Sequence, residues 1–329
     1  MFYDISKIDA TDATYRMIIG QRSNGKSYSV CRHIVENYIT KGERGAYLRR
    51  WEEDITPKNI SSLFDPHIDL IVELSGGKWN AISYRAKEFH LCSVDSDGTV
   101  IEKDPIAFCI TASINTAEHT KGQDRGEVSL ICFDEFATRQ QYLKDEFVQF
   151  CNLLSSLIRN RSNTVIYMLS NTVNRYCPYF EEMGLTEVMK QEQGTIDVYT
   201  YNNKDLTVAV EYCAEVAATE KVGNKYFAFE NSRLNMITSG KWELDVYPRP
   251  PYSIQDRMIR FRFYINFNGQ MVCGEIVNDR EDLFIFFHPQ TKDIKITPKD
   301  VYYTSDFTTS RCHVHFLKDQ PTEAHKLIA

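Results

Sequence analysis

The chain has 329 residues, 43% of them hydrophobic, 25% charged and 12% aromatic, with a formal net charge of −7. This excludes a disordered or fibrous chain, and the length argues for two domains or one large domain with an appendage. The acidic balance gives no global electrostatic footprint for nucleic acid, so a DNA or RNA partner would have to be met by local patches.

No apolar run approaches the ~20 residues that span a bilayer. The N-terminus, Met-Phe-Tyr-Asp-Ile, has no basic stretch followed by an apolar one, so neither a membrane partner nor export is expected. The nine cysteines are scattered singly and form no Cys-x-x-Cys. Reduced, buried thiols are therefore expected rather than a disulfide framework or zinc ribbon. Cys312-His313-x-His315 hints at a metal, but its period of two fits a strand better than a zinc clip.

Residues 15–19 read as a short strand, followed by a glycine-rich turn and a helix over about 26–39 with Val30, Ile34 and Tyr38 on one face. Residues 45–51 read as a second strand ending in Arg49-Arg50, and 69–74 as a third apolar run. The stretch 79–109 reads as hairpin material with a turn at Asp95-Ser96-Asp97-Gly98. That turn lacks the ligand spacing and the twelfth-position Glu of a calcium loop. Residues 114–127 are polar, and 128–133 form an apolar run suited to a parallel strand buried on both faces. A helix over about 146–159 places Phe147, Phe150, Leu153, Leu154 and Leu157 on one face, and 164–169 is a β-branched run. This alternation predicts an α/β fold with a mainly parallel sheet flanked by helices.

The texture changes after about residue 199. Residues 205–212 are strand-like and 214–237 read as partly helical. The proline cluster Tyr247-Pro248-Arg249-Pro250-Pro251 marks a boundary. Beyond it Phe261, Phe263, Ile265 and Phe267 alternate with polar residues, Asn268-Gly269 supplies a hairpin turn, and 283–287 reads as a buried strand. We therefore divide the chain into a nucleotide-binding domain over 1–200, a linker region over 201–248 and a small α+β domain over 249–329. The last part carries 11 basic and 10 acidic residues.

Gly20-Gln21-Arg22-Ser23-Asn24-Gly25-Lys26-Ser27 matches G-x-x-x-x-G-K-[ST] at every specified position, between a strand and an amphipathic helix. Its glycines let backbone N–H groups point inward at phosphate oxygens, and the helix start adds its dipole. Lys26 is suited to reach the β- and γ-phosphates and the Ser27 hydroxyl to ligate Mg²⁺. The nucleotide-binding set thus runs from Gly20 to Ser27 and on to Tyr28. Leu130-Ile131-Cys132-Phe133-Asp134-Glu135 ends an apolar strand in two acids, where open α/β sheets bind ligands. Asp134 would share Mg²⁺ with Ser27, and Glu135 would polarise the attacking water.

Arg159 and Arg161, at a helix end, are either dipole partners or an arginine finger reaching a neighbouring subunit's γ-phosphate. Asn171, ending the next strand beside Asp134, is placed to sense phosphate or orient water. Arg22 faces either the nucleotide or a neighbour, and Arg49 and Arg50 are either active-edge groups or solvated strand ends. The polar 114–127 stretch carries His119, Lys121 and Arg125 but also Glu118, Asp124 and Glu127, so its charge does not announce nucleic acid. It is either a plain polar loop or a phosphate-gripping pore loop, with Lys121 and Arg125 as the candidate DNA contacts.

The chain resembles the DNA-packaging ATPases of phi-29-like tailed bacteriophages. The resemblance is carried by Gly20 through Tyr28, Tyr47-Leu48-Arg49-Arg50, Phe133-Asp134-Glu135-Phe136, Arg159-Asn160-Arg161, Leu169-Ser170-Asn171 and Pro178-Tyr179-Phe180. It covers roughly residues 10–200 and rests mainly on length beyond them. It implies an ASCE-type P-loop ATPase, related to large terminases and DNA translocases, that binds ATP and Mg²⁺. It implies a homopentameric ring at the portal vertex of an empty prohead, in the cytoplasm of the infected host, driving double-stranded DNA inward. It makes Arg159 the trans-acting finger, with Arg161 as the fallback. It also implies a ribonuclease-H-like C-terminal domain that has lost catalysis and docks onto a packaging RNA and the portal (connector) protein, with Arg257, Arg260, Arg262 and Arg311 as phosphate contacts.

Other readings stay open on the residues alone. Asp256, Glu275, Asp279 and Asp282 leave room for a terminase that also cuts DNA. A non-packaging P-loop DNA-binding ATPase and a non-hydrolysing scaffold also keep the nucleotide motif. A GTPase is disfavoured, because Asn203-Lys204-Asp205 sets its Asp one position early for guanine recognition.

Overall fold

The computed structural model describes residues 3–116, 128–138, 142–158, 163–172, 177–201, 206–214, 256–267, 270–279, 282–289 and 301–304. The chain divides into two compact units, Met1–Leu244 and Asp245–Ala329.

In the first unit, β1 (Tyr15–Gly20), β2 (Arg44–Arg49), β6 (Cys109–Ser113), β7 (Val128–Asp134), β8 (Val165–Asn171) and β10 (Leu206–Tyr212) run parallel in the order β6-β2-β7-β8-β1-β10. Antiparallel strands flank them. One edge carries β3 (Ala81–Arg85), β4 (Glu88–Val94) and β5 (Val100–Lys103), and the other carries β9 (Ile196–Tyr201). The parallel strands are apolar on both faces because helices cover both. Met17, Ile19, Leu48, Ile131, Phe133 and Met168 point to the side of α5 (Glu146–Ile158) and α6 (Pro178–Glu182). Their neighbours Ile18, Tyr47, Cys132, Tyr167 and Leu169 point to the side of α2 (Lys26–Lys41). One residue thus separates the two cores, as the period of two requires.

Two sequence expectations change, and one, the 95–98 turn, stands. Residues 206–212, assigned above to a linker, pair with β1 from Tyr15↔Val208 to Ile19↔Tyr212 and bury Val208, Ala209 and Val210 completely. An apolar, β-branched run beside an open strand edge joins the sheet rather than facing water. Of the short connecting helices α1 (Ser6–Asp9), α3 (Pro57–Ile60) and α4 (Ile68–Leu74), the last is the third apolar run, with Asp69 in its first turn and Ile71 buried in the core on the α2 side. An acid at a helix start meets the positive end of its dipole. The 95–98 turn is closed by Asp95, whose Oδ1 accepts the N–H groups of Asp97 and Thr99 at 3.0 and 2.8 Å.

The second unit is a sheet of β11 (Ile259–Phe267), β12 (Gln270–Asp279), β13 (Asp282–Pro289) and β14 (Val301–Thr304), in the order β13-β12-β11-β14. The first three strands form an antiparallel meander and β14 runs parallel to β11. β13 is a strand as expected but is only half buried. Leu283, Ile285 and Phe287, on one face of this edge strand, are 50%, 41% and 40% exposed. The stretches 117–127, 159–162 and 215–255, which include Lys121, Arg125, Arg159 and Arg161, lie outside the described residues, as do Arg311 and the Cys312/His313/His315 group.

Candidate nucleotide site

The carboxyl ends of β1, β8 and β7 lie side by side. Register pairs Gly20 with Asn171 and Asp134 with Leu169, so β8 separates the 20–27 loop from the Asp134 strand and fills the gap with Ser170 and Asn171. The loop needs its two glycines for different reasons. Gly25 caps α2 with φ +89°, a left-handed conformation that side chains resist. At Gly20 the constraint is space, since a Cβ there would stand 2.7 Å from the Cβ of Cys213. Ser23 also takes a positive φ, +61°. The chain therefore turns back on itself before α2 begins at Lys26.

A cavity of about 270 Å³ opens at this edge, lined by Arg22, Ser23, Asn24, Gly25, Lys26, Ser27, Tyr28, Asp134, Glu135, Ser170 and Asn171. Arg22 thus belongs to the cavity wall. Gly20 and Gln21 sit beneath it, and Gln21 is buried with its carbonyl turned to Lys26. The Lys26 ammonium donates to the Gln21 carbonyl at 2.7 Å and to Oδ1 of Asn24 at 3.0 Å, with Oδ1 of Asn171 at 3.4 Å. Burial pushes this ammonium down to about 8, opposed by Cys213 and Asp134. Its present acceptors are neutral oxygens, which a phosphate would outcompete.

Asp134 is fixed from three sides. Its Oδ2 accepts from the Ser27 hydroxyl at 2.9 Å and from the Tyr47 hydroxyl at 2.6 Å, and its Oδ1 from the Glu135 N–H at 3.0 Å. Two hard oxygen donors within hydrogen-bond reach, Ser27 and Asp134, suit a magnesium ion that keeps most of its waters. Glu135 has φ +61°, outside the usual range for a residue with a side chain. Its carboxylate meets Arg49 at 2.7 Å, and Arg49 also approaches Asp54 at 3.5 Å and Asp134 at 3.9 Å. Arg50 turns the other way. It bonds the carbonyls of Glu135 and Phe136 and the carboxylate of Glu146.

The structure therefore brings together Lys26, Ser27, Asp134, Glu135 and Asn171. It adds groups to which the residues alone assigned no role: Tyr47, Ser170 and Glu146. Tyr47 and Arg49 stand two apart on β2, hence on one face, and that spacing beside the Asp134 strand was the available signal.

This strand order, with a glycine-bounded loop, a lysine and two acids at one carboxyl edge, defines an α/β domain with a mainly parallel sheet and a polar cleft at the carboxyl ends of its strands. More narrowly, the chain belongs to the Podovirus DNA encapsidation protein (Gp16) family, whose profile matches residues 1–223. It is 27% identical over 183 residues to the DNA packaging protein of Bacillus phage phi29, covering 55% of this chain and 49% of that one. It is 27% identical over 177 residues to the DNA packaging protein of Bacillus phage B103, covering 53% and 49%. The chain thus spans about half the length of the curated relatives it matches. In fold it is similar to the solved bacteriophage Phi-29 viral genome packaging motor assembly, with a TM-score of 0.53 and 19% identity over 94% of this chain and 86% of that one.

Proposed function

We propose that this chain hydrolyses ATP with Mg²⁺ and uses the energy to drive double-stranded DNA into a prohead, acting as a homopentameric ring. Membership of the DNA-encapsidation family supports the cargo, and the site supports the reaction. The observation that carries it is the convergence of the Ser27 and Tyr47 hydroxyls on Asp134, one strand away from Lys26 and beside Glu135, around a single cavity.

Each group then has a physical task. Backbone N–H groups of the 20–27 loop and the α2 N-terminus cradle the β- and γ-phosphates. Lys26 exchanges the Gln21 carbonyl for phosphate oxygens and regains a charged partner. Ser27 and Asp134 would hold Mg²⁺, which when bound neutralises phosphate charge. Tyr47 keeps Asp134 turned toward Ser27. Glu135 orients and polarises the attacking water once it exchanges Arg49 for that water. Asn171 holds the far wall, within reach of Lys26 and of a terminal phosphate. Arg159 follows directly on the last described residue of α5, and we assign it as the finger acting on a neighbour's nucleotide, with Arg161 as the fallback. Lys121 and Arg125 are assigned to DNA gripping.

We assign the second unit to docking rather than cutting. Its meander with a fourth strand parallel to the first is compatible with a ribonuclease-H-like domain. A metal-dependent nuclease needs clustered carboxylates. Of the two interior strands, β11 carries none, and on β12 Glu275 is bound to Arg262 at 2.8 Å. Asp279, paired in register with Asp282, lies four residues further along β12, about 13 Å away. The exposed Arg257 and Arg260 suit contacts to a packaging RNA, and the portal protein is the remaining partner of this reading.

The reading is tested by mixing. Arg159→Ala rings are expected to lose ATPase activity. They should regain part of it when mixed with Lys26→Ala subunits, which bring an intact Arg159 to their neighbours. No regain would place Arg159 in its own subunit's site or in none.

A further inference from the structure

Arg50 and Glu146 form the most enclosed ion pair described in the first unit, with side chains 5% and 0% exposed. The guanidinium Nε lies 3.0 and 2.9 Å from the two Glu146 oxygens. Nη1 donates to the Glu135 carbonyl at 3.1 Å and Nη2 to the Phe136 carbonyl at 2.6 Å. Glu146 in turn accepts from the Tyr179 hydroxyl and the Leu143 N–H, both at 2.8 Å. The Tyr142 ring lies 4.9 Å from the guanidinium.

A buried pair of this kind is a poor source of stability, because desolvation offsets most of its attraction and an apolar pair of similar volume packs as well. What an apolar pair cannot do is hold two carbonyls. Those carbonyls belong to Glu135, whose φ of +61° is strained for a side-chain-bearing residue, and to the residue after it. The strand must bend sharply at this point for the Glu135 carboxylate to reach the cavity instead of following the direction of β7.

We propose that Arg50 is a positioning residue for hydrolysis: anchored by Glu146, it fixes the Glu135 main chain so that the carboxylate is presented to the water beside the nucleotide. Arg50 touches neither nucleotide nor water and acts only through Glu135. Because Glu146 opens α5, the pair also ties the water-orienting residue to that helix. This rests on the reading of the cavity as a site of ATP hydrolysis.

The test uses the full chain. Arg50→Ala would leave Glu146 buried without a counter-charge and is expected to unfold the protein, so the informative variants are Arg50→Lys and Glu146→Gln, each first shown to be folded by circular dichroism. The affinity for a fluorescent ATP analogue is expected to stay within about twofold, while kcat falls roughly 10- to 100-fold, the range for supporting contacts around a reacting group. In a Glu135→Gln background, Arg50→Lys is expected to remove nothing further, since coupled residues are non-additive. A third variant, Arg50→Met with Glu146→Leu, keeps the packing without the carbonyl contacts and is expected to fold, bind nucleotide and turn over slowly. Full turnover in that variant, or an equal fold-loss from Arg50→Lys with and without Glu135, would overturn the proposal. An inactive unaltered chain would overturn the parent reading as well, whereas active variants beside an active unaltered chain overturn this inference alone.

Discussion

Arg49 holds Glu135 in an ion pair of 2.7 Å at the mouth of the cavity, with the acid 56% exposed and the arginine 18%. A pair open to water on one side is worth about 1 kcal/mol or less. It can therefore break at little cost when another partner reaches Glu135.

Glu135→Gln is expected to leave thermal stability within about 1 kcal/mol of the parent, since only that half-exposed pair is lost. Nucleotide binding should persist while turnover falls by about 10²–10⁴-fold, the usual contribution of a positioned general base. Equilibrium binding and phosphate release on the same sample check both halves.

Tyr47→Phe removes a fully buried hydroxyl that donates to Asp134 at 2.6 Å. A hydrogen bond to a carboxylate is worth about 1.5–3 kcal/mol, and the loss should appear in denaturant unfolding of the nucleotide-free protein. Asp134 then keeps its hydrogen bonds from Ser27 and the Glu135 N–H and the longer approach of Arg49 but loses its shortest contact, so the Mg²⁺ concentration needed for half-maximal turnover should rise several-fold. An unchanged Mg²⁺ requirement would remove Tyr47 from the site.

Lys26 sets a pH dependence. Its folded value of about 8 lies below the ordinary 10.5, so the folded state binds fewer protons than the unfolded one between those values. This contribution to stability therefore improves as pH rises through that window. Nucleotide binding has the opposite slope, because it needs the ammonium. Above pH ~8 affinity for a triphosphate should weaken by up to about tenfold per pH unit. Titrations of a fluorescent ATP analogue between pH 7 and 9.5 would show this bend, and Lys26→Ala should bind weakly with no bend at all.

Gly20→Ala places a Cβ 2.7 Å from the Cβ of Cys213. Overpacking of this kind typically costs about 1–3 kcal/mol. Cys213→Gly should recover more of the loss than Cys213→Ala, because the Cβ, at 2.7 Å, is the nearer obstacle and the sulfur stands at 3.1 Å. Unfolding curves of the single and double variants measure it.

Much of this site could be read from residue order. The strand-loop-helix context made the 20–27 segment interpretable, and a run of four apolar residues before Asp134-Glu135 announced a buried strand ending in acids. The contribution of β8 followed from Asn171 ending the next strand. Contacts between distant strands were harder to read. Tyr47 lies 87 positions from Asp134, and Arg50 lies 96 from Glu146. Nothing local distinguishes Arg49, which serves the acids at the mouth, from Arg50, which serves the main chain behind them. Residues 206–212 read as a strand from their own composition, but the Pro248–Pro251 cluster sets the sequence boundary well beyond them, and the open edge of β1 that they join is visible only in three dimensions.

The most direct test of the central claim is phosphate release from ATP by the full chain with Mg²⁺, measured with and without double-stranded DNA over a range of protein concentrations. The expected result is Mg²⁺-dependent turnover that DNA stimulates, that rises more steeply than protein concentration as subunits share sites, and that vanishes in Lys26→Ala. Turnover indifferent to Lys26, or nucleotide bound without release under every condition, would contradict the account.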